Sequence, residues 1–210
     1  MKPISKNQLE RFPLYLKYLI SLQDEGEEYI TSGNIANKFN LNEELVKKDL
    51  QCVSTSSGIP KKGREISALI KDLSDFLGYH NVTDAILIGV GHLGTAFLNY
   101  DGFNSFGLNI LAGFDVNPDV VGTSINGKPV FPMDKLENLI QRMKIKIAII
   151  TVPADFANEI GERLVKAGIE AIWNFAPIHI DATNEIVVEN VNLASSLAKL
   201  SHKLKTKLEK

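Results

Sequence analysis

Between Asp84 and Gly94 the sequence runs Asp-Ala-Ile-Leu-Ile-Gly-Val-Gly-His-Leu-Gly, an apolar stretch that passes directly into G-x-G-x-x-G. A helix-forming segment, Thr95 to Tyr100, follows at once. Strand, glycine turn and helix in that order are what a dinucleotide fingerprint requires. Gly89 permits the tight turn, Gly91 lets the backbone approach a pyrophosphate, and Gly94 lets the helix pack closely on the strand. The helix N-terminus then offers free N–H groups and a positive dipole to the phosphates. Alone, the motif is weak, because glycines gather in turns for many reasons. Here a second apolar run, Asn109 to Phe114, ends in Asp115, 21 positions beyond Gly94. A carboxylate about 20 residues on can accept the hydroxyls of an adenosine ribose and would repel a 2′-phosphate. NAD and NADH are therefore expected in preference to the NADP forms, with Val90, His92, Leu93, Val116 and Asn117 beside the ligand. The competing interpretation is a turn aspartate with incidental glycines.

A chain of 210 residues, 44% hydrophobic and 23% charged, has room for one or two globular domains. Its longest apolar runs, such as Ile147 to Val152, are far too short to span a bilayer. The N-terminal residues carry charge and show no secretory core, so a cytoplasmic, membrane-free protein is expected. Cys52 is the single cysteine, and His80, His92, His179 and His202 are scattered without ligand spacing, so no metal site is expected. The formal net charge of −2 hides an uneven distribution. Residues 1–78 are neutral overall, residues 79–190 carry −6, and residues 191–210 carry +4. Bulk charge gives no support to nucleic-acid binding, which must rest on local placement of basic residues.

In chain order, Leu9, Phe12, Leu16, Leu19 and Ile20 recur at a helical period over Gln8 to Glu25, with Pro13 placed near the start. A short helix over Gly33 to Phe39 follows, capped by Thr31 or Ser32, with Ile35, Ala36 and Phe39 inward. A third helix, Glu43 to Val53, takes Asn42 as its cap and carries two acids in its first turn. Leu45, Val46, Leu50 and Val53 form its inward stripe, which leaves Lys47, Lys48 and Gln51 outside. Two short helices joined by a tight turn, the second with a basic outer face, match a helix-turn-helix. On these residues alone an ordinary three-helix module with a solvated face is the simpler interpretation. Beyond it, the basic turn Pro60-Lys61-Lys62-Gly63-Arg64 and a return strand at Glu65-Ile66 form a plausible wing, able to lay Lys61, Lys62 and Arg64 along a phosphate backbone. Ser67 to Leu77 is helical, and Gly78 to Asn81 is a linker.

From Val82 onward strands and helices alternate. Strands are expected at Ala85–Gly89, Ile110–Phe114, Ile147–Thr151, Ala171–Asn174 and Ile186–Val188, with helices at Thr95–Tyr100, Met133–Met143 and Asp155–Ala167. Continuous apolar strands between helices argue for a parallel sheet covered on both faces. Thr151-Val152-Pro153 and Asn174-Phe175-Ala176-Pro177 close two of these strands, on the side where doubly wound sheets bind ligands. Last comes an amphipathic helix, Asn192 to Lys210, whose stripe of Leu193, Leu197, Leu200, Leu204 and Leu208 needs a partner surface on its own chain or on another subunit.

Nearly end to end, the chain resembles the Rex family of redox-sensing transcriptional repressors. The resemblance is carried by Arg11-Phe12-Pro13-Leu14-Tyr15, Lys48-Asp49-Leu50, the glycine motif 89–94, Phe114-Asp115, Thr151-Val152-Pro153, Asn174-Phe175-Ala176-Pro177 and Glu189-Asn190-Val191-Asn192-Leu193. It implies an α/β chain with a winged helix-turn-helix domain (1–78), a Rossmann-type doubly wound parallel sheet (79–191) and a C-terminal helix exchanged between subunits (192–210). It also implies a homodimer on palindromic operator DNA, released when NADH binds and permitted to bind by NAD. Candidate DNA contacts are Arg11, Lys47, Lys48, Gln51, Ser54, Lys61, Lys62 and Arg64. His92 and Asn192 stand where the family often has an arginine or asparagine and an aspartate. With Tyr100 they match a polar cluster that couples cofactor state to subunit arrangement, and Leu193 adjoins it.

Two rival functions compete with this one. An NAD-dependent dehydrogenase would need a second domain for its substrate, and no histidine with a nearby carboxylate presents itself as an acid–base pair. A CoA-binding domain would leave the N-terminal helices and Asp115 without a purpose. A repressor without enzymatic activity is the expectation.

Overall fold

The computed structural model describes residues 4–54, 58–60, 62–80, 83–181 and 186–209. They fall into two compact units, residues 1–81 and 82–210.

The first unit orders α1 (Lys6–Asp24), β1 (Tyr29–Ile30), α2 (Ser32–Phe39), α3 (Glu43–Val53), β2 (Arg64–Glu65) and α4 (Ile66–Leu77). α1 begins earlier than its apolar period suggests, because Ser5 and Gln8 close a reciprocal capping box. Pro13 consequently lies inside the helix rather than at its start. It removes one donor, and Leu9, whose carbonyl loses that partner, is exposed enough for water to replace it. Thr31 caps α2, Oγ1 accepting the Asn34 N–H at 3.1 Å, and Asn42 caps α3 by accepting the Glu44 N–H at 2.8 Å. Apolar faces of α1, α3 and α4 meet in a core of Phe12, Leu16, Leu19, Val46, Leu50, Ile66, Leu69 and Leu73. Fully burying a side chain such as Phe12 contributes about 1.5–3 kcal/mol. The return strand is Arg64–Glu65, paired antiparallel with Tyr29–Ile30, and not Glu65–Ile66. Ile66 is buried and opens α4 instead. Gly63, at φ +91°, fits against β1 only without a side chain, since a Cβ would stand 2.2 Å from the Ile30 carbonyl oxygen.

The second unit contains β3 (Thr83–Ile88), α5 (His92–Asn99), β4 (Leu108–Asp115), β5 (Ser124–Ile125), β6 (Lys128–Pro132), α6 (Leu136–Met143), β7 (Ile147–Ile150), α7 (Ala154–Ala167), β8 (Ala171–Asn174), β9 (Val187–Asn190) and α8 (Leu193–Leu208). Among the described residues the sheet order is β5-β6-β4-β3-β7-β8-β9, parallel throughout except for β5. Counted by chain order, its parallel strands run 3-2-1-4-5-6, the Rossmann order. Ile86, Ile88, Ala148, Ile150 and Ile172 face α6 and α7, whereas Leu87, Ile110 and Ile149 face α5. The hairpin β5–β6 was not expected. It turns on Asn126 and Gly127, both at positive φ, and takes the place of a crossover helix between β4 and β6. α8 buries none of its residues, and its five stripe leucines are all more than half exposed. None of the described helices is long and apolar enough to cross a membrane.

Candidate functional site

The strand order reverses between β3 and β7, and an apolar cleft of about 600 Å³ opens at their C-terminal ends. Its floor is the glycine turn. Gly89 adopts φ +95°, and a Cβ there would meet the Val152 side chain at 2.8 Å and the Thr151 carbonyl carbon at 2.9 Å. The Thr151 hydroxyl donates to the Gly89 carbonyl at 2.6 Å, so the turns after the two strands are tied together. At Gly94 a Cβ would stand 2.1 Å from the Gly89 carbonyl oxygen, which sets how closely α5 sits on β3. Gly91 differs: at φ −75° nothing lies within 4 Å of the position its Cβ would take. No protein atom requires glycine there, and the open space lies where a phosphate reaches a helix N-terminus.

Among residues expected from sequence, Gly89, Gly91, Asp115, Val116, Thr151, Val152, Pro153, Phe175 and Pro177 line this cleft. Ile88, Phe114, Met133, Phe156, Glu159, Ile160 and Arg163 also line it and were not anticipated. Arg163 is oriented by Glu137 at 2.8 Å and the Met133 carbonyl at 2.9 Å. That hydrogen bond holds the Glu137 carboxyl below its usual range and raises Arg163. Val90 and Gly94 are buried beneath the turn, while His92, Leu93 and Asn117 lie outside the lining.

Asn174 has a different place from the one expected. It is fully buried, donating to the Ile178 carbonyl at 2.7 Å and to Asn190 Oδ1 at 2.8 Å and accepting the Ala176 N–H at 2.9 Å. Its side chain is used up in bracing the loop that follows β8, and Ala176 is buried with it. Tyr100 packs edge-on against Phe103, 4.9 Å between centroids, beside an aromatic group of Phe97, Trp173 and Phe175. Asn192 caps α8 by accepting the Ser195 N–H at 2.8 Å, and Leu193 begins that helix. Neither Tyr100 nor this pair lines the cleft.

In the first unit, the outward stripe of α3 consists of Glu44, Lys47, Lys48 and Gln51, opposite the buried Val46, Asp49, Leu50 and Val53. Lys47 is not a free cation: its ammonium meets Glu44 at 2.8 Å and Glu43 at 3.2 Å. These bonds raise Lys47 and lower Glu44. Arg11 is half-buried and committed to a partner within the unit. Its guanidinium makes a two-pronged contact with Asp49 at 2.7 and 2.8 Å, and Asp49 also accepts the Tyr15 hydroxyl at 2.9 Å. Ser54 ends α3 and accepts from Arg64 at 2.9 Å. Lys62 lies over the Tyr29 ring at 3.6 Å, a cation–π contact with a residue of β1. Lys61 lies outside the described residues.

Residues 3–51 match a family described as a putative DNA-binding protein N-terminus, and residues 80–178 match the CoA binding domain family. A redox-sensing transcriptional repressor Rex of Bacteroides fragilis is 41% identical over 93% of this chain and 89% of its own length. The chain belongs to the Rex family. A Rex of Clostridioides difficile is 36% identical over 97% of both chains. The fold of the Rex-family repressor RSP, solved with β-NAD+ and operator DNA, superposes with a TM-score of 0.90 at 33% identity, covering 99% of this chain and 95% of that one. RSP solved with β-NADH gives 0.87 at 32% identity over 99% and 97%.

Within this Rex-family site, Asp115 has a role its spacing did not suggest. Its carboxylate accepts the N–H of Val90 at 2.5 Å and of Asn117 at 2.8 Å, so it shapes the glycine turn as well as the strand end. Two backbone donors leave lone pairs for a ribose, since a carboxylate offers about four acceptor sites. Asp115→Ala should weaken NADH by about 1–3 kcal/mol, as for lost hydrogen bonds to a charged group. Titration calorimetry giving wild-type NADH affinity in this variant would remove Asp115 from the ligand site.

Proposed function

We propose that this chain is an NADH-responsive repressor. A homodimer binds palindromic operator DNA through α3 and the basic segment that leads into β2, holds NAD or NADH in the cleft beyond β3 and β7, and leaves the operator when NADH binds. Such a protein acts in the cytoplasm, and its working divisions are the winged helix-turn-helix (1–78), the dinucleotide domain (79–191) and the exchanged helix (192–210). The observation that carries this reading is the glycine turn. A close-packed Gly89 and Gly94 frame an open Gly91 at the head of α5, in a chain whose relative RSP was solved with β-NAD+ and operator DNA. Lys48, Gln51 and Lys62 are the leading DNA contacts, with Lys47, Ser54 and Arg64 beside them, while Arg11 acts through Asp49 to hold α3. His92, Tyr100 and Asn192 remain the proposed coupling cluster.

Asp115 also bears on the CoA-binding match, because its carboxylate at the ribose end of the cleft repels the phosphorylated ribose of CoA. An oxidoreductase has less support, since the described cleft lining pairs no histidine with a carboxylate. The decisive measurement takes a duplex enriched by the protein from a randomised pool and follows its binding with NADH, NAD and CoA added separately. NADH should weaken binding, and CoA should leave it unchanged. Equal affinity in all three arms would end the redox-sensor reading.

The exposed leucine stripe of α8 supports the dimer, because a face this apolar at the chain end is covered by no other described residue. Deleting residues 192–210 should yield monomers or aggregates in sedimentation. Operator affinity should fall by about 10²–10⁴-fold, the advantage of joining two binding modules. A truncated protein that stays a DNA-competent dimer refutes the exchanged helix.

A further inference from the structure

The outward stripe of α3 presents a carboxylate where a DNA-binding helix gains nothing from one near phosphate. With Glu43 and Glu44 against Lys47 and Lys48, this face carries no net charge. Both acids reach Lys47, Glu44 at 2.8 Å and Glu43 at 3.2 Å, and they differ in where they stand. Glu43 leans back over the start of α2, so that a Cβ on Gly33 would stand 3.5 Å from its Oε2. Glu44 stands on the outward stripe with its side chain 71% exposed, gripping Lys47 at 2.8 Å. An exposed pair of this kind adds little to stability. Both groups stay exposed to whatever approaches this face.

A C·G base pair presents a matching edge in the major groove. Cytosine N4 offers a donor and guanine O6 an acceptor. These two atoms are themselves joined by a Watson–Crick hydrogen bond of about 2.9 Å. A carboxylate and an ammonium 2.8 Å apart can face that edge atom for atom, Glu44 accepting from cytosine N4 and Lys47 donating to guanine O6. Neither group then sheds its partner on binding. The four groups close a ring of hydrogen bonds, and a thymine O4 or guanine O6 placed before the carboxylate is repelled. We infer that Glu44, held by Lys47, is a base-reading residue that makes this protein demand a C·G pair in each half-site. This rests on the proposal that α3 enters the major groove.

The test selects duplexes from a pool randomised over about two helical turns, with the full-length wild type, E44A, E44Q and E43Q in the presence of NAD. Wild type and E43Q should enrich the same half-site, containing one fixed C·G pair. E44A should lose preference at that pair alone, by about 5- to 150-fold, the equivalent of 1–3 kcal/mol for a good base contact. E44Q should turn the preference toward A·T, because an amide suits adenine. E44A binding all duplexes more tightly with every base preference kept would show Glu44 to act only as a charge, and would overturn the inference. A wild type that enriches no sequence would instead overturn the DNA-binding proposal beneath it.

Discussion

Asp49→Ala should destabilise the N-terminal unit by about 3–5 kcal/mol, the cost of breaking a buried ion pair by removing one partner. The Asp49 carboxylate is fully buried and accepts three hydrogen bonds, two from Arg11 and one from Tyr15. Without it the Arg11 guanidinium, only 16% exposed, keeps its charge and loses its counter-ion. Burial first, and the bond to Asp49 second, push the Tyr15 phenol far above its ordinary pKa, so its hydroxyl stays a donor in need of an acceptor. The network pins α1 to α3, and its loss would free the helix that carries Glu44, Lys47 and Gln51. Tyr15→Phe removes one donor and should cost less, about 1.5–3 kcal/mol as for a bond to a charged group. Replacing Arg11 and Asp49 together by apolar residues of similar size should recover much of the loss, since such swaps are often neutral. The chain's one tryptophan, Trp173, lies in the second unit and reports that unit by fluorescence, whereas helical circular dichroism reports both. In Asp49→Ala the dichroism transition in urea should therefore begin well before the fluorescence transition. If both stay at their wild-type midpoints, the network carries no such weight.

What the sequence displays and what it conceals divide along physical lines. The glycine spacing and the cap at Asn42 are local signals, and each has the backbone role its type suggests, whereas the hold of Asp115 on the Val90 N–H spans 25 positions. Asp49 shares an arc with Val46, Leu50 and Val53, so its burial was readable from period alone, but its partner Arg11 lies 38 positions away. Asn174 ends an apolar strand just as a ligand-facing residue would. Its commitment to the loop after β8 depends on Asn190, which only the parallel pairing of β8 with β9 brings near. Phe156, Glu159 and Arg163 recur at helical spacing, yet which way that face of α7 turns is fixed by tertiary packing. The hairpin β5–β6 is the exception. Its Asn126-Gly127 dipeptide is a strong local turn signal, masked by the weak alternation of the short strands around it.

The glycine turn yields the sharpest separation of fold from ligand. Gly94→Ala should cost the second unit about 3 kcal/mol or more, at the upper end of overpacking, because its Cβ meets the Gly89 backbone oxygen at 2.1 Å, which cannot swing aside, as well as the Leu87 side chain at 2.9 Å. It should also lose NADH, since α5 can no longer seat its N-terminus over the turn. Gly91→Ala should leave the urea midpoint followed by Trp173 unchanged, because its φ of −75° suits alanine and, beyond its chain neighbours and its own helix, no described residue stands within 4 Å of the added carbon. What the methyl group excludes is the pyrophosphate. Wild type with NADH at a hundredfold excess over its Kd should gain about 2.7 kcal/mol of stability. At the same NADH concentration Gly91→Ala should gain about 1.4 kcal/mol or less, in step with a calorimetric NADH affinity reduced by about tenfold or more. A folded Gly91→Ala protein with wild-type NADH affinity would mean that no phosphate approaches the backbone here. The open space at Gly91 would then be an ordinary exposed turn, and the ligand would have to lie against the apolar wall of Phe114, Val152 and Phe156 alone.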